Sequence, residues 1–279
     1  MLERVLVPLD GSETAEAVLP LVRTLKPAEV VVMRAAGRAT DEESHRYVAA
    51  QSRQLAGLKI RAIVREGSAP EAILAAADEV FATMILMGTH GRTGLSRFTF
   101  GSVAEKVARA GHLPVMMLRT RKPPAKDFLV RRILVPMDGS ETALGIIPYV
   151  VSLARHCVAQ IVVLHVTELS RLVVGAVSGE VVDRPDLDRR PPRNPSIEEM
   201  LRYASERFAE ADVRTVLTHV RGDAAVAILD YAQEHLCDVI AMATHGRSGI
   251  SRWTLGSVAE KVLRHATMPT LTVRPWRTP

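Results

Sequence analysis

The chain has 279 residues, too many for one small domain and enough for two domains of roughly 140 residues each. Apolar residues make up 47% and charged residues 24%, a globular composition that excludes a disordered or fibrous chain. The formal net charge of +5 is a mild excess that favours small anionic ligands over nucleic acid, and 4% aromatic residues is low for a protein that stacks bases.

The cysteines and the first residues of the chain predict the cellular compartment of the protein. Cys157 and Cys237 lie outside any CxxC or Cys/His cluster, so we expect no disulfide framework or zinc site, and both should be small buried hydrophobes. The first residues carry an acid at position 3 and no long apolar core, unlike a secretory signal. Apolar runs such as 30–33 are far shorter than the ~20 residues that span a bilayer. We therefore expect a cytoplasmic protein with no membrane partner.

The first half of the chain alternates short apolar runs with helical patterns. In chain order it predicts a strand at 5–7, a helix with one apolar face over 15–25, strands at 30–33 and 60–64, a helix at 69–80, a strand at 84–87, a helix at 102–110 and a strand at 115–118. Such alternation predicts a parallel sheet covered on both faces. Ligands of these sheets bind beyond the carboxyl ends of the strands, so the segments after residues 8 and 87 should meet at one crevice.

The chain also repeats itself. RVLVPLDGSETA at 4–15 returns as RILVPMDGSETA at 132–143, and GSVAEKV at 101–107 returns unchanged at 256–262. The offset grows by 27, from 128 to 155, and we assign most of the extra residues to a proline-rich, charged loop at about 168–196. The predicted domains are 1–120 and 132–279, joined by a linker at 121–131 that Pro123 and Pro124 stiffen.

A glycine motif follows the fourth predicted strand. Gly88, Gly91 and Gly101, with Ser102, form Gly-x2-Gly-x9-Gly-Ser. Glycine lets backbone amides approach an oxyanion, and the helix that opens after Gly101 has free amides that favour negative charge. We predict phosphate binding here. A competing interpretation is that the serine of each SVAE segment, 102–105 and 257–260, caps its own helix in a capping box.

Two carboxylates follow the first strand of each unit. Asp10 and Asp138 each come two residues after a proline, Pro8 or Pro136. A carboxylate there could accept hydrogen bonds from ribose hydroxyls or from an adenine amine. The alternative is an Asx turn that caps the next helix through Asp-Gly-Ser.

Two charged or titratable side chains of the glycine motif repeat as well. Arg92 and Arg247 adjoin the glycines and could add charge-assisted contacts to an anion. His90 and His245 have no Asp or Ser partner at a recognisable spacing, which favours a loop-ordering hydrogen bond over catalysis. We therefore predict no catalytic set.

At these residues the chain resembles the universal stress protein family in its tandem two-domain form. The resemblance rests on VP[LM]DGS at the start of each unit and on [GA]THGR[TS]G with GSVAEK at the end, and it leaves out only the linker and the long loop. It implies an α/β fold: two tandem five-stranded parallel-sheet α/β sandwich domains, Rossmann-like and adenine nucleotide alpha hydrolase-like. It also implies a dimer through the last strand, formed by the two units of one chain or by two chains. In one subclass, ATP is bound by the glycine motif.

The resemblance further implies one adenine-nucleotide site in each unit. The implied residues are Pro8, Asp10, Ala35, Gly88, Gly91, Arg92, Gly101, Ser102 and Val103, and then Pro136, Asp138, Val166, Ala243, Gly246, Arg247, Gly256, Ser257 and Val258. Each unit departs once from the pattern. Ala243 replaces the first glycine, which costs about 1 kcal/mol if that position needs a positive φ. Arg34 and Ala35 stand where the second unit has the more usual His165 and Val166.

Three functions are compatible with the predicted fold and site residues. The first is a nucleotide-dependent stress-response regulator that binds ATP, with or without Mg²⁺, and acts on a protein partner that the sequence does not identify. The second is a slow ATPase or a nucleotidyl-transfer enzyme. The third is an interaction scaffold that has lost nucleotide binding. Because no catalytic set is recognisable, we favour the regulator, with no protein-bound metal and no nucleic-acid partner.

Overall fold

The computed structural model describes residues 1–37, 41–89, 101–119, 125, 128–167, 196–244 and 255–274. The elements of the first unit are β1 Arg4–Pro8, α1 Glu13–Glu16, α2 Leu19–Leu25, β2 Glu29–Ala36, α3 Glu42–Arg53, β3 Ile60–Glu66, α4 Ala69–Glu79, β4 Met84–Gly88, α5 Ser102–Ala110 and β5 Val115–Leu118. Those of the second are β6 Arg132–Pro136, α6 Glu141–Leu144, α7 Ile147–Cys157, β7 Gln160–Thr167, α8 Ile197–Glu210, β8 Thr215–Arg221, α9 Ala224–Glu234, β9 Val239–Ala243, α10 Ser257–His265 and β10 Thr270–Val273. The predicted pair of five-stranded α/β units is confirmed.

The strands of both units form one sheet in the order β3-β2-β1-β4-β5-β10-β9-β6-β7-β8. Every strand pair within a unit is parallel, whereas β5 and β10 pair antiparallel, with Met116 opposite Leu271. The two units of one chain thus pair through their last strands. The strand order reverses between β1 and β4 and between β6 and β9, which puts a switch point in the middle of each unit.

Two apolar cores lie on the two faces of this sheet. Helices α1–α3 and α6–α8 cover one face, and α4, α5, α9 and α10 cover the other. Neighbouring residues of β2 alternate between the cores: Val30 and Val32 belong to the first, and Val31 and Met33 to the second. All four are fully buried, which is why this strand is a continuous apolar run and not an alternating one.

The structure corrects the helical predictions in two places. The single helix expected over 15–25 is two helices, α1 and α2, because Pro20 has no amide to donate to a carbonyl of the preceding turn. Helix α3, for which the sequence predicted no element, begins after Asp41, whose side chain accepts a hydrogen bond from the Glu43 amide at 3.0 Å.

The predicted linker and long loop lie mostly outside the described residues, so their boundaries stay predictions. The chain is described again from Ser196, which forms a complete capping box with Glu199 at the start of α8. Among the described residues, no helix combines the length and the apolar character that crossing a bilayer requires.

Candidate functional site

The turn after the first strand lies at the switch point of each unit. Asp10 Oδ1 accepts hydrogen bonds from the Ser12 amide at 3.0 Å and from Ser12 Oγ at 2.6 Å, and Gly11 takes the left-handed φ of 86° that the turn requires. Asp138 and Ser140 repeat the two contacts at 2.9 and 2.6 Å. The Asx turn expected as the alternative is therefore formed in both units. The turn engages one oxygen of each carboxylate.

The helix start after the glycine motif has no side-chain cap. The N-cap residues of α5 and α10 are Gly101 and Gly256, and neither helix has a side-chain cap hydrogen bond. The capping-box interpretation is therefore wrong for both units, because Ser102 and Ser257 are already the first helical residues and not the N-caps. The first-turn amides, which have no intrahelical acceptor, lie at a helix end that carries partial positive charge.

A buried threonine joins the end of the fourth strand to this helix start. The Thr89 amide donates to the Leu118 carbonyl at 3.0 Å, and the Thr89 carbonyl accepts from the Gly101 amide at 2.9 Å. Thr244 does the same for Gly256 at 2.7 Å. The amides of both glycines are thus engaged, and the first-turn amides that follow them are the donors to consider for an anion. Sequence reasoning missed this threonine, although its repetition before each His-Gly-Arg was a usable signal.

The first glycine of the motif is required by packing and not by its backbone angles. A Cβ placed on Gly88 would lie 2.6 Å from the Thr14 carbonyl oxygen and 3.1 Å from Ala15 Cα, both main-chain atoms of α1. Gly88 has no positive φ, and neither has Ala243 in the second unit. The alanine therefore carries no backbone penalty.

The backbone of β2 runs past the end of β1 and into the crevice. Alternate residues of a parallel strand direct both main-chain groups to the same neighbour. The Met33 carbonyl accepts from the Leu9 amide on the β1 side, and the Ala36 carbonyl accepts from Gly67 on the β3 side. The amide and carbonyl of Ala35 therefore point to the β1 side, beyond the last paired residue of that strand. Around Val166 the equivalent bonds are Met137 N to Leu164 O at 2.9 Å and Gly222 N to Thr167 O at 3.1 Å.

The residue before this position differs between the units. In the first unit, the Arg34 guanidinium lies 4.7 Å from the ring centre of Tyr47 on α3. The Tyr47 hydroxyl donates to Glu16 Oε1 at 2.8 Å, and burial together with that carboxylate raises the pKa of Tyr47. In the second unit, the buried ring of His165 makes a hydrogen bond with the Met137 carbonyl at 2.9 Å.

Both units of the chain match the sequence model of a known protein family. A sequence model of the universal stress protein family matches residues 1–119 and 130–274. The chain belongs to the universal stress protein family. The matched ranges make it a tandem member with two universal stress protein domains, which confirms the resemblance stated from the motifs.

Several universal stress proteins are similar to this chain. YxiE of Bacillus subtilis is 30% identical over 149 residues, which cover 52% of this chain and all of that protein. A Mycolicibacterium smegmatis universal stress protein is 24% identical over 243 residues, 84% of this chain and 75% of that protein. The crystal structure of a universal stress protein from Archaeoglobus fulgidus aligns with a TM-score of 0.71 at 22% identity, over 99% of this chain and 97% of that one, and shows the shared fold.

Part of the predicted site lies outside the described residues. These residues are His90, Gly91, Arg92, His245, Gly246 and Arg247. The described part of each universal stress protein domain still brings the Asp turn, the end of the fourth strand, the start of the following helix and the end of β2 or β7 to one switch point. The prediction that these segments share a crevice rests on that topology.

Proposed function

We propose that this universal stress protein binds ATP at the switch points of its domains and acts as a nucleotide-dependent stress-response regulator. One observation carries the proposal. In both units, a helix whose first turn has no side-chain cap begins where the strand order reverses, with a glycine as its N-cap. Uncapped amides at the positive end of a helix dipole are a suitable site for a phosphate chain.

The other contacts that we propose follow from the same geometry. The amides of Ser102 and Val103, and of Ser257 and Val258, would hold phosphate oxygens together with the loop glycines and arginines predicted from the motif. The main-chain groups of Ala35 and Val166 point past the end of β1 or β6. There, the amide of each residue could donate a hydrogen bond to an adenine edge, and the carbonyl could accept one. The described residues hold no group of three or more His, Cys, Asp or Glu placed for a metal, so a Mg²⁺ ion would enter with the phosphates.

The chemistry of these groups fits binding better than hydrolysis. Asp10 and Asp138 are the carboxylates at the switch points, and each directs one oxygen into its own Asx turn. A general base must reach the water or hydroxyl that it deprotonates, and each of these carboxylates uses one oxygen to hold its turn in place. Bound ATP would order the surrounding loops and so change the surface that a protein partner meets.

The experiment uses proline to delete a single amide. Ser102 is the first residue of α5, where proline fits the helix, and Gly101 has the extended backbone (φ −63°, ψ 134°) that a residue before proline prefers. Ser102→Pro and Ser257→Pro each remove one N–H, whereas the matched Ser102→Ala and Ser257→Ala keep it and remove only the hydroxyl. Losing a hydrogen bond to a charged group should weaken ATP binding about tenfold or more in the proline variants.

The readouts are calorimetric ATP affinity and the melting temperature with and without ATP. At a concentration about one hundred times Kd, ATP should stabilise the wild type by about 2.7 kcal/mol for each occupied site, or roughly 5–10 °C per site. Unliganded proline variants should melt close to the wild type, which shows that the helix is intact. Equal losses in the alanine and proline variants would assign the contact to the hydroxyl. No adenine nucleotide in ligand extracted from the native protein, together with no ATP-dependent stabilisation, would refute the proposal.

A further inference from the structure

A second concave surface lies at the amino ends of the strands, away from the crevices. It is an open groove of about 1890 Å³ between the ends of α2 and α7, the residues that lead into β6, and the turns before β8 and β9. Residues of α2 and of α7 line it, so both units contribute to this groove, and Thr24 Oγ1 on α2 donates to the Phe128 carbonyl at 3.1 Å. We refer to it as the basic groove.

The basic groove concentrates positive charge. The Arg and Lys residues among its described lining are Arg23, Lys26, Arg131, Arg132, Arg155 and Arg214, and the acidic residues are Asp212 and Asp238. Six positive and two negative side chains give +4, compared with +5 for the whole chain. The Asp238 carboxylate also accepts from the amides of Arg131 and Arg132 at 2.7 and 2.8 Å, which holds it at the start of β6.

These cations have no acidic partner among the described residues. Within the described residues, none of the six lies within 4.0 Å of a carboxylate oxygen, whereas Arg46, Arg65, Arg109 and Arg264 all do. The Arg23 and Arg132 guanidinium groups donate to main-chain carbonyls of Gln54 and His235, and the other four make no side-chain hydrogen bond in the described part of the chain.

Helix dipoles explain only some of this charge. Arg23, Lys26 and Arg155 lie at or next to the last turn of α2 or α7, where a cation offsets the negative helix end. Arg131 and Arg214 belong to no helix. Like charges that are gathered without partners destabilise the free protein, so their grouping points to an anionic occupant.

Apolar side chains stand among these cations in strained positions. Val158 is 91% exposed and Leu236 is 79% exposed, and both have left-handed backbones, with φ of 56° and 49°. Glycine is the usual residue at such helix ends, and a β-branched residue there is a genuine outlier. Leu129 is 52% exposed in the same groove. The free protein gains no packing from these side chains that would offset the strain.

We propose that the basic groove binds an acidic segment of a partner protein that carries apolar side chains. The volume exceeds the 300–1,000 Å³ that is typical of small-molecule pockets. Phe128 is the one Phe, Tyr or Trp residue in the described lining and is half-buried, which leaves nucleic acid little ring surface for stacking. A flat bilayer cannot reach the floor of a concave groove. Cations beside exposed aliphatic side chains are complementary to an acidic, leucine-containing peptide.

The test measures anisotropy of a fluorescein-labelled peptide of Glu-Leu-Glu-Glu repeats with the full chain, at low and at physiological salt. Arg131→Glu with Arg155→Glu should weaken binding about tenfold or more, because each substitution reverses a groove charge. The matched control is Arg61→Glu with Arg202→Glu, which reverses two exposed arginines outside the groove and should change the affinity less than about twofold. Equal effects of the two double variants would refute the site.

Apolar contacts are tested separately. Val158→Gly with Leu236→Gly should relieve strain and raise the melting temperature, yet weaken peptide binding severalfold. Phe81→Gly relieves the same strain (φ 52°) at an exposed helix end outside the groove and should leave binding unchanged. Unlabelled oligo-dT and phosphatidylglycerol vesicles are the competing probes. Tighter binding of either one than of the peptide, or no peptide binding at low salt, would overturn the proposal, and none of these outcomes bears on ATP.

Discussion

Replacing Gly88 with alanine tests the packing role of the first motif glycine. The added Cβ would lie 2.6 Å from the Thr14 carbonyl oxygen, a separation that real Cβ atoms do not tolerate. The neighbouring Ala15 Cα at 3.1 Å is also main chain, so neither obstacle can rotate away. Thr14 and Ala15 are buried against the sheet, and relief requires that α1 and the end of β4 separate.

The expected cost is that of overpacking a rigid site. Such substitutions cost about 1–3 kcal/mol, and a main-chain obstacle puts Gly88→Ala in the upper half of that range. For a chain of this size, about 2–3 kcal/mol lowers the melting temperature by roughly 5–10 °C. Because α1 follows the Asp10 turn, the same displacement should weaken ATP binding in the first unit while the second unit keeps its affinity.

Urea and thermal denaturation followed by circular dichroism measure the effect. Gly37→Ala is the matched control, because nothing lies within 4 Å of its added Cβ and its φ is not positive. It should be neutral or stabilise by about 0.4–1 kcal/mol through the unfolded state. Ala243→Gly, the reverse exchange in the second unit, should cost about 0.5–1 kcal/mol. If Gly88→Ala came within about 0.5 kcal/mol of Gly37→Ala, the packing argument would fail.

Two further predictions concern the thiols and the junction between the units. Burial raises the pKa of Cys157 and Cys237 from 9.0 to about 11. At pH 8, their reaction with Ellman's reagent should therefore be about a hundredfold slower than in the urea-unfolded chain. The reaction rate of the folded protein should rise about tenfold per pH unit up to pH 11. The raised pKa also means that the stabilisation by neutral thiols is complete below pH 9 and is lost as the pH rises through 11; stability that is flat over this interval would contradict the burial. Leu271→Ala removes a fully buried side chain opposite Met116 and should lower the free energy of unfolding by about 2–5 kcal/mol. Both units should then melt at a lower temperature, in one transition. Separate melting of the two units in the wild type would argue against a shared sheet.

Strands were predictable from this sequence because their burial is two-sided. Residues such as Val30 to Met33 supply apolar side chains to both cores, and no other soluble arrangement explains short continuous apolar runs that alternate with helices. Helices were less predictable. Pro20 divides a segment whose apolar spacing runs on regardless, and α3 presents few apolar residues, with Val48 among those that are buried. Apolar periodicity indicates which face of a helix is buried, but it does not indicate at which residue the helical hydrogen bonds end.

The segments that form the candidate site could be predicted from the sequence, but the contacts of their residues could not. Asp10 was compatible with an Asx turn or with a ligand contact, and only coordinates show that Ser12 engages one carboxylate oxygen. The SVAE pattern fits a capping box by spacing alone, yet the backbone makes Gly101 the N-cap. A shift of one residue at a helix start decides whether a serine closes the amides off or leaves them open. The hydrogen bond between the Gly101 amide and the Thr89 carbonyl accompanies that shift, and it joins residues that are far apart in the chain.

The two units repeat the helix start but not the surroundings of the proposed adenine position, so the two proposed sites should not be equivalent. Both proposed phosphate positions have a glycine N-cap, and Ala243 adds no backbone strain, so the departure from the motif does not argue against a site in the second unit. The proposed adenine positions have different neighbours in the two units. His165 is buried and held by a main-chain carbonyl, whereas Arg34 is half-buried, charged and drawn toward the α3 face by Tyr47. A ring held in place needs no rearrangement when a base binds beside it, whereas moving Arg34 breaks its contact with Tyr47. If both domains bind ATP, the second should bind it more tightly, and Ser257→Pro should then remove more of the ATP-dependent stabilisation than Ser102→Pro.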